Sequence, residues 1–300
     1  MRKQVLLLLI LMVVALVANA IVPRPPRPEI SLSAEAVPLF GLRIPNSLIA
    51  TWLAMLFLVA LSYATTRSMK MVPGRAQSAV EWAVESLYSL AYGIAGARTK
   101  LVFPVVATLF FFILTANWME LLPGFGSVGI LQPHEEGTVL IPLLRSADTD
   151  LNTTIALAIF AVASIQVFGY RALGLAYLRK FLDVRRLLSD ESPVQRIAGL
   201  FIGLLELFDQ LTKIVSFAFR LFGNIFAGEV LLFVIAFLLP IMGPLPFMVL
   251  ELFVGFIQAL IFALLTLVYA SAAMSEATEH SGETRQESDP RHTALAQLPQ

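Results

Sequence analysis

The sequence predicts an all-α polytopic membrane protein, with about five spanning helices behind an N-terminal segment that reads as a signal helix. Three observations lead there. Apolar residues make up 58% of the chain and charged residues only 14%, against about 25% charged in an ordinary soluble domain. The apolar residues are gathered into runs long enough to cross a hydrocarbon core, which takes about 20 residues of helix. The few charges inside those runs fall on shared helix faces instead of being scattered.

The N-terminus reads Met1-Arg2-Lys3-Gln4, then an apolar run over 5–17, then Ala18-Asn19-Ala20. A basic start, a short apolar core and an A-x-A site mark residues 1–20 as a secretory signal, either cleaved or kept as a signal-anchor. Residues 21–46 follow on the outer face, where Pro23, Pro25, Pro26 and Pro28 keep the chain extended. The membrane domain covers 47–275, and a polar cytoplasmic tail covers 276–300.

Pro45 and Asn46 open the first span, 47–66. Residues 67–100 are polar with apolar positions at helical spacing (Val80, Val84, Leu87, Leu90, Ala91), the pattern of an amphipathic segment on the membrane surface. A second span, 101–122, is closed by Pro123-Gly124, and the Gly- and Pro-rich stretch 125–145 reads as a loop. The third span is 151–173, followed by a basic connector over 179–196. Residues 197–239 then contain no proline and no turn cluster. As one helix this stretch is ~60 Å long, about twice the hydrocarbon thickness. It must tilt steeply, lie partly in the plane, or break once. Pro240, Gly243, Pro244 and Pro246 make the next turn, and the last span is 247–271.

The connectors 67–100 and 171–196 hold eleven Lys and Arg residues, whereas 23–45 and 123–147 hold four: Arg24, Arg27, Arg43 and Arg145. The positive-inside rule places the mature N-terminus outside and the C-terminus in the cytoplasm.

The chain has no cysteine, which excludes disulfides and thiolate metal sites. Its three histidines, His134, His280 and His292, lie outside the long apolar runs, so no metal centre is expected in the membrane. There is no G-x-x-x-x-G-K-[ST] loop for a nucleotide. We expect no cofactor and no nucleic-acid partner.

Charge inside a bilayer costs ~3 kcal/mol per residue on insertion scales, so it needs a partner or a use. Along 197–239, Glu206, Asp209, Lys213, Ser216, Arg220 and Asn224 fall within an arc of about 80° on one helix face. Glu229 lies on the opposite face. In the last span Glu251, Gln258 and Tyr269 share a face within about 20°. Asn117 and Glu120 end the second span, while Asp148, Asp150 and Asn152 begin the third. Polar groups therefore collect in an inner group around Glu206 and an outer group around Glu229 and Glu251, with Arg220 between them.

Simpler roles are open to several of these residues. Asp148 and Asp150 can cap a helix and complement its dipole. Asn117 and Glu120 suit an interface, Glu206 and Lys213 can snorkel from a tilted helix, and Gly223 and Gly228 allow close helix packing. Arg220 is different. Phe217, Phe219, Leu221 and Phe222 surround it, with no interface to reach.

The run RLFGNIFAGE at 220–229 closely resembles the signature of subunit a of F-type ATP synthases. GFIQALIF at 255–262, DTDLNTT at 148–154 and NWMELLP at 117–123 are similar to three further signatures of that family. Together they span about residues 100–272. The resemblance implies long, nearly horizontal helices against a rotating ring of c subunits, with the b-subunit stator stalk and the rest of the complex as further partners. It implies that Arg220 faces the ring's carboxylates with Gln258 beside it. It also implies that Glu229 and Glu251 line an outer half-channel and Glu206 an inner one, with Asn224, Asn117, Glu120, Asp148, Asp150 and Asn152 as further path candidates. Many relatives pair a carboxylate with a histidine where this chain has Glu229 and Glu251. Two neighbouring carboxylates would share a proton.

Two rival classes make different demands. A secondary transporter predicts internal repeats around a midplane site, and the Arg220 stretch has no second copy. An intramembrane hydrolase needs a nucleophile and a base, but there is no G-x-S-x-G motif and no histidine in the spans.

Overall fold

The computed structural model describes residues 34–39, 42–67, 69–122, 125–126, 128–134, 137–178, 181, 193–240 and 243–287. The signal segment 1–20, residues 21–33, most of the basic connector 179–196 and the tail beyond 287 lie outside them.

Among the described residues, five helical stretches are long and apolar enough to cross a membrane: Asn46–Thr66, Arg75–Glu120, Leu151–Leu173, Ile197–Leu238 and Pro244–Ser275. The chain is a multi-pass membrane protein. Helix α1 (Asn46–Thr66) begins directly after Pro45. Helices α2 (Arg75–Ala95) and α3 (Thr99–Glu120) are joined by a 3-10 turn, Gly96–Arg98. Of the apolar positions expected to share a face over 67–100, Leu87 and Ala91 are buried in α2 together with Ala95, while Leu90 is exposed, as are Trp82 and Tyr92. Helix α4 (Leu151–Leu173) ends at Gly174, whose φ of 60° is the left-handed conformation that terminates a helix without a Cβ clash.

Helix α5 runs from Pro193 to Leu238 without interruption, 46 residues and about 69 Å at 1.5 Å per residue. Of the three geometries open to this stretch, the break is not used. Proline at the first position suits the helix start, where no N–H partner is needed. Helix α6 (Pro244–Glu287) starts in the same way and continues well beyond residue 275, so part of the expected polar tail is helical.

The loop reading of 125–145 is corrected. It contains an antiparallel hairpin, β3 (Gly129–His134) with β4 (Gly137–Pro142), in register from Gly129↔Pro142 to His134↔Gly137. Glycine and proline dominated the sequence reading, but both strands are edge strands, and an edge tolerates Pro133 and Pro142. A second hairpin, β1 (Ala36–Leu39) with β2 (Leu42–Pro45), leads into α1.

The protein forms two compact units. The first contains the residues up to Gln77, Phe110–Ala156 and Phe217–Phe262. Its interior holds Ile113, Ala116, Leu221, Ile225 and Ala259, with the Phe217 and Phe262 rings 4.8 Å apart. The second contains Ser78–Leu109, Leu157–Ser216 and the chain from Ala263. Ala91, Ala158, Ala161, Ala263 and Ala270 are buried there, and such small residues let helix backbones approach closely in lipid. Tyr88 meets Phe103 edge-on at 5.0 Å. Gly169 receives the Tyr177 ring where a Cβ would stand. The large side chains on the outside of α1, among them Leu56, Phe57 and Val59, suit hydrocarbon.

Gly169→Leu is expected to lower the amount of subunit found in membranes by immunoblot, because Tyr177 must be displaced. Gly93→Ala is the counterpart: nothing lies within 4 Å of its added Cβ, and helix propensity improves by up to ~1 kcal/mol, so its level should hold.

Candidate functional site: a buried acidic cluster and its arginine

The first unit is pinned where α1, the β3–β4 hairpin and α4 meet. Asn46 donates from Nδ2 to the Pro142 carbonyl at 3.0 Å. Ser47 donates from Oγ to Asp150 Oδ2 at 2.7 Å. Asp150 Oδ1 also accepts from the backbone N–H of Asn152 at 3.0 Å and from Asn152 Nδ2 at 3.1 Å. Asp150 is thus the N-cap of α4, satisfying a donor that the helix cannot. Asp150 and Asn152 are both taken up in this cap.

The segment between Pro142 and Asp150 is thereby held against α5. Arg145, only 8% exposed, places Nε 3.2 Å from Glu229 Oε1 and Nη2 3.0 Å from Glu229 Oε2. Glu229 is 12% exposed. Two parallel N–H···O bonds between a planar guanidinium and a carboxylate form the strongest ordinary ion-pair geometry. Sequence reasoning counted Arg145 only as an outer-loop charge. The signal that could have singled it out was a lone arginine shortly before Asp148 and Asp150, in a chain whose Glu229 lacked any cationic neighbour on its own helix.

Glu251, on α6, is buried, and its Oε1 has no hydrogen-bond partner. Its carboxylate lies against Gly228, where any Cβ would collide with it. One turn further along α6 the Gly255 carbonyl accepts from Asn117 Nδ2 at 3.2 Å, and Trp118 Nε1 donates to the Leu252 carbonyl at 3.1 Å. Glycine at 228 and 255 is what lets α3, α5 and α6 bring these polar groups together. Glu120, at the end of α3, has Glu229, Glu251 and Asp148 as charged neighbours. Asp148 sits in the 3-10 turn Ala147–Thr149, fully buried, with neither carboxylate oxygen hydrogen-bonded. Burial pushes its carboxyl up to about 7. Beside this cluster opens a cleft of about 240 Å³, lined by Glu120, Arg145, Ser146, Glu229, Phe233 and Met248 among others.

Arg220 lies nine residues before Glu229 on α5, in different surroundings. It is exposed, as are Gly223, Asn224 and Ala227 on the same face, while Leu221 and Ile225 are buried behind them. Asn224 Nδ2 donates to Gln258 Oε1 at 2.9 Å, and Gln258 is buried with its Nε2 otherwise unused. The structure therefore links Gln258 to Arg220's face through Asn224, one helical turn on.

Glu206 belongs to the second unit. Its Oε1 accepts from Gln210 Nε2 at 2.8 Å, and Gln210 Oε1 accepts from Gln166 Nε2 at 2.7 Å. Tyr177 donates its hydroxyl to Gln166 at 2.6 Å. Asp209 pairs with Lys213 at 2.6 Å, and the Lys213 ammonium stands 5.0 Å from the centroid of Tyr269.

Of the outer candidates, the structure brings Asn117, Glu120, Asp148, Glu229 and Glu251 into one cluster, with Arg145 added. Among the described residues, five helices long and apolar enough to cross a membrane, with ionisable groups held among them, define a polytopic membrane protein. The comparisons specify which kind. The profile of the family described as ATP synthase A chain matches residues 48–271. ATP synthase subunit a of Gloeobacter violaceus is 35% identical over 237 residues, covering 78% of this chain and 86% of that one. The subunit a of Moorella thermoacetica is 32% identical over 227 residues, covering 75% and 89%. This chain belongs to the ATP synthase A chain family, and is a membrane-sector subunit.

Two outcomes follow from the cluster. Arg145→Ala leaves Glu229 buried without its counter-ion, a loss of roughly 3–5 kcal/mol, read as a lower melting temperature of the purified complex. Asp148 binds a proton more tightly folded than unfolded, so the folded state holds the extra proton between about 4, the ordinary value, and about 7. Its contribution to stability therefore falls as pH rises through that window. In Asp148→Asn the pH-dependent part of the melting temperature from this residue should vanish, as differential scanning at stepped pH would show.

Proposed function

We propose that this chain is the proton-conducting stator subunit of a bacterial plasma-membrane ATP synthase. In this reading it has its N-terminus outside and its C-terminus in the cytoplasm, and works against a ring of c subunits with the b-subunit stalk and the remaining complex as partners. The observation that carries the reading is the contrast within α5. Arg220 stands on an exposed face beside the small residues Gly223 and Ala227, while a buried acidic cluster beside a cleft lies further along the same helix.

A carboxyl on a partner helix can face hydrocarbon only when neutral. Beside the fixed guanidinium of Arg220 it is stabilised as carboxylate and gives up its proton. Arginine stays charged at any physiological pH, so the site does not titrate away. Gly223 and Ala227 let a partner helix come close, and Asn224, held by Gln258, offers a polar contact there. The outer half-channel comprises Asn117, Glu120, Asp148 and Glu251, with Glu229 and its counter-ion Arg145 at the cleft. The inner half-channel comprises Glu206 and the Gln210–Gln166–Tyr177 chain of hydrogen bonds. Because Arg220 bars direct passage between the two, a proton crosses only by riding the ring. Each charge moved releases ~2.3 kcal/mol per 100 mV of potential, which, summed over several protons, drives rotation.

The test is ATP-driven acidification of inverted membrane vesicles. Arg220→Ala should abolish it while the complex still assembles. Acidification that survived the substitution would refute the reading, and substrate-dependent uptake without any ring partner would point to a transporter instead.

A further inference from the structure

The outer cluster contains two carboxylates that need not do the same job. We infer that Arg145 locks Glu229 into a permanent ion pair, so that Glu251 alone, and not a proton-sharing Glu229–Glu251 pair, is the exchanging carboxyl next to α5 in the outer path. This rests on the proton-conducting reading given above, and assigns the roles within it.

The geometry separates the two groups. Glu229 uses both oxygens on one guanidinium, at 3.2 and 3.0 Å, and both side chains are nearly withdrawn from solvent. To take up a proton, Glu229 would have to give up a charge-assisted bond to the buried Arg145 guanidinium. Glu251 has no such tie. Its Oε1 is buried and makes no hydrogen bond, and its carboxylate lies against the bare backbone of Gly228. Glu251 and Glu229 are both charged neighbours of Glu120 on α3, as is Asp148 from the segment before α4, and Asn117 bonds the α6 backbone one turn further along. Arg145, the cation at the adjoining cleft, is bonded to Glu229. A carboxyl in that setting can be neutral or charged without dismantling a bonded pair, as a relay group requires. Arg145 is then a positioning residue: it carries no proton, but it decides which acid does.

The decisive experiment compares Arg145→Gln, Glu229→Gln and the double variant in ATP-driven acidification of inverted vesicles, with ring and stalk subunits followed by immunoblot. Each single change removes one member of the buried ion pair, and we expect loss of pumping in both. The double change removes both charges together, and should recover pumping lost in either single variant. Adding Glu251→Gln to the double variant should abolish it again. An assembled double variant that does not pump, or a Glu251→Gln variant that does, overturns the inference.

A second measurement does not depend on assembly of the double variant. In pH-difference infrared spectra of the intact complex, Glu251→Asp should shift a protonated-carboxyl band that Glu229→Asp leaves in place. A band that moves with Glu229→Asp overturns the inference. Arg220→Ala serves as the control in every background: if it pumps, the proton-conducting reading itself has failed, and not the division of roles.

Discussion

The arrangement of the first unit depends on one ion pair withdrawn from water, Arg145 with Glu229. Neither charge is tolerable alone in an apolar body, so each fixes the position of the other. Arg145 comes from a segment between a hairpin and a helix, and such a segment would ordinarily wander over the surface. It is held in reach of α5 by what brackets it. The Asn46–Pro142 bond stands on one side, and the Ser47–Asp150 bond with the Asp150 cap on the other. The hairpin and the cap therefore serve the same end as the ion pair, keeping a cation at a depth it could not occupy by itself.

Arg145 and Arg220, both in the first unit, hold the same charge in opposite surroundings. Arg145 is buried, and its fork is matched by a carboxylate of the same chain. Arg220 is presented on an exposed face between small residues. A guanidinium cannot shed its charge. Its surroundings decide what that charge acts on, and in the proposed function Arg220 acts on an acid supplied by a neighbour. Glycine makes part of that difference. At Gly228 it admits the Glu251 carboxylate against the backbone, and at Gly223 it keeps the exposed face low.

Much of this fold was legible because lipid imposes simple rules. Length and hydropathy placed α4 at its observed limits and α3 within two residues, and the absence of proline between 197 and 239 foretold an unusually long helix. Charges in apolar runs pointed to Arg220, Glu229 and Glu251. The extended structures were less visible. The β3–β4 strands are short and rich in glycine and proline, and their stability comes from pairing and not from local pattern. Arg145 was harder still. An arginine in an outer loop has no distinguishing mark until the chain folds back, and its partner lies 84 residues away. Asp150 was ambiguous between cap and path residue, since a carboxylate at a helix start serves either purpose. Its hydrogen bonds to Asn152 and Ser47 show the cap.

The junction of Asn46 and Ser47 with Pro142 and Asp150 also bears on how the protein is made. Its bonds join positions separated by 96 and 103 residues. The first described helix can enter the bilayer early, but the Asn46 amide and the Ser47 hydroxyl meet Pro142 and Asp150 only once the hairpin and the beginning of α4 have been synthesised. At roughly 5–20 residues per second that interval lasts about 5–20 s. This junction thus closes only when a late segment reaches an early one.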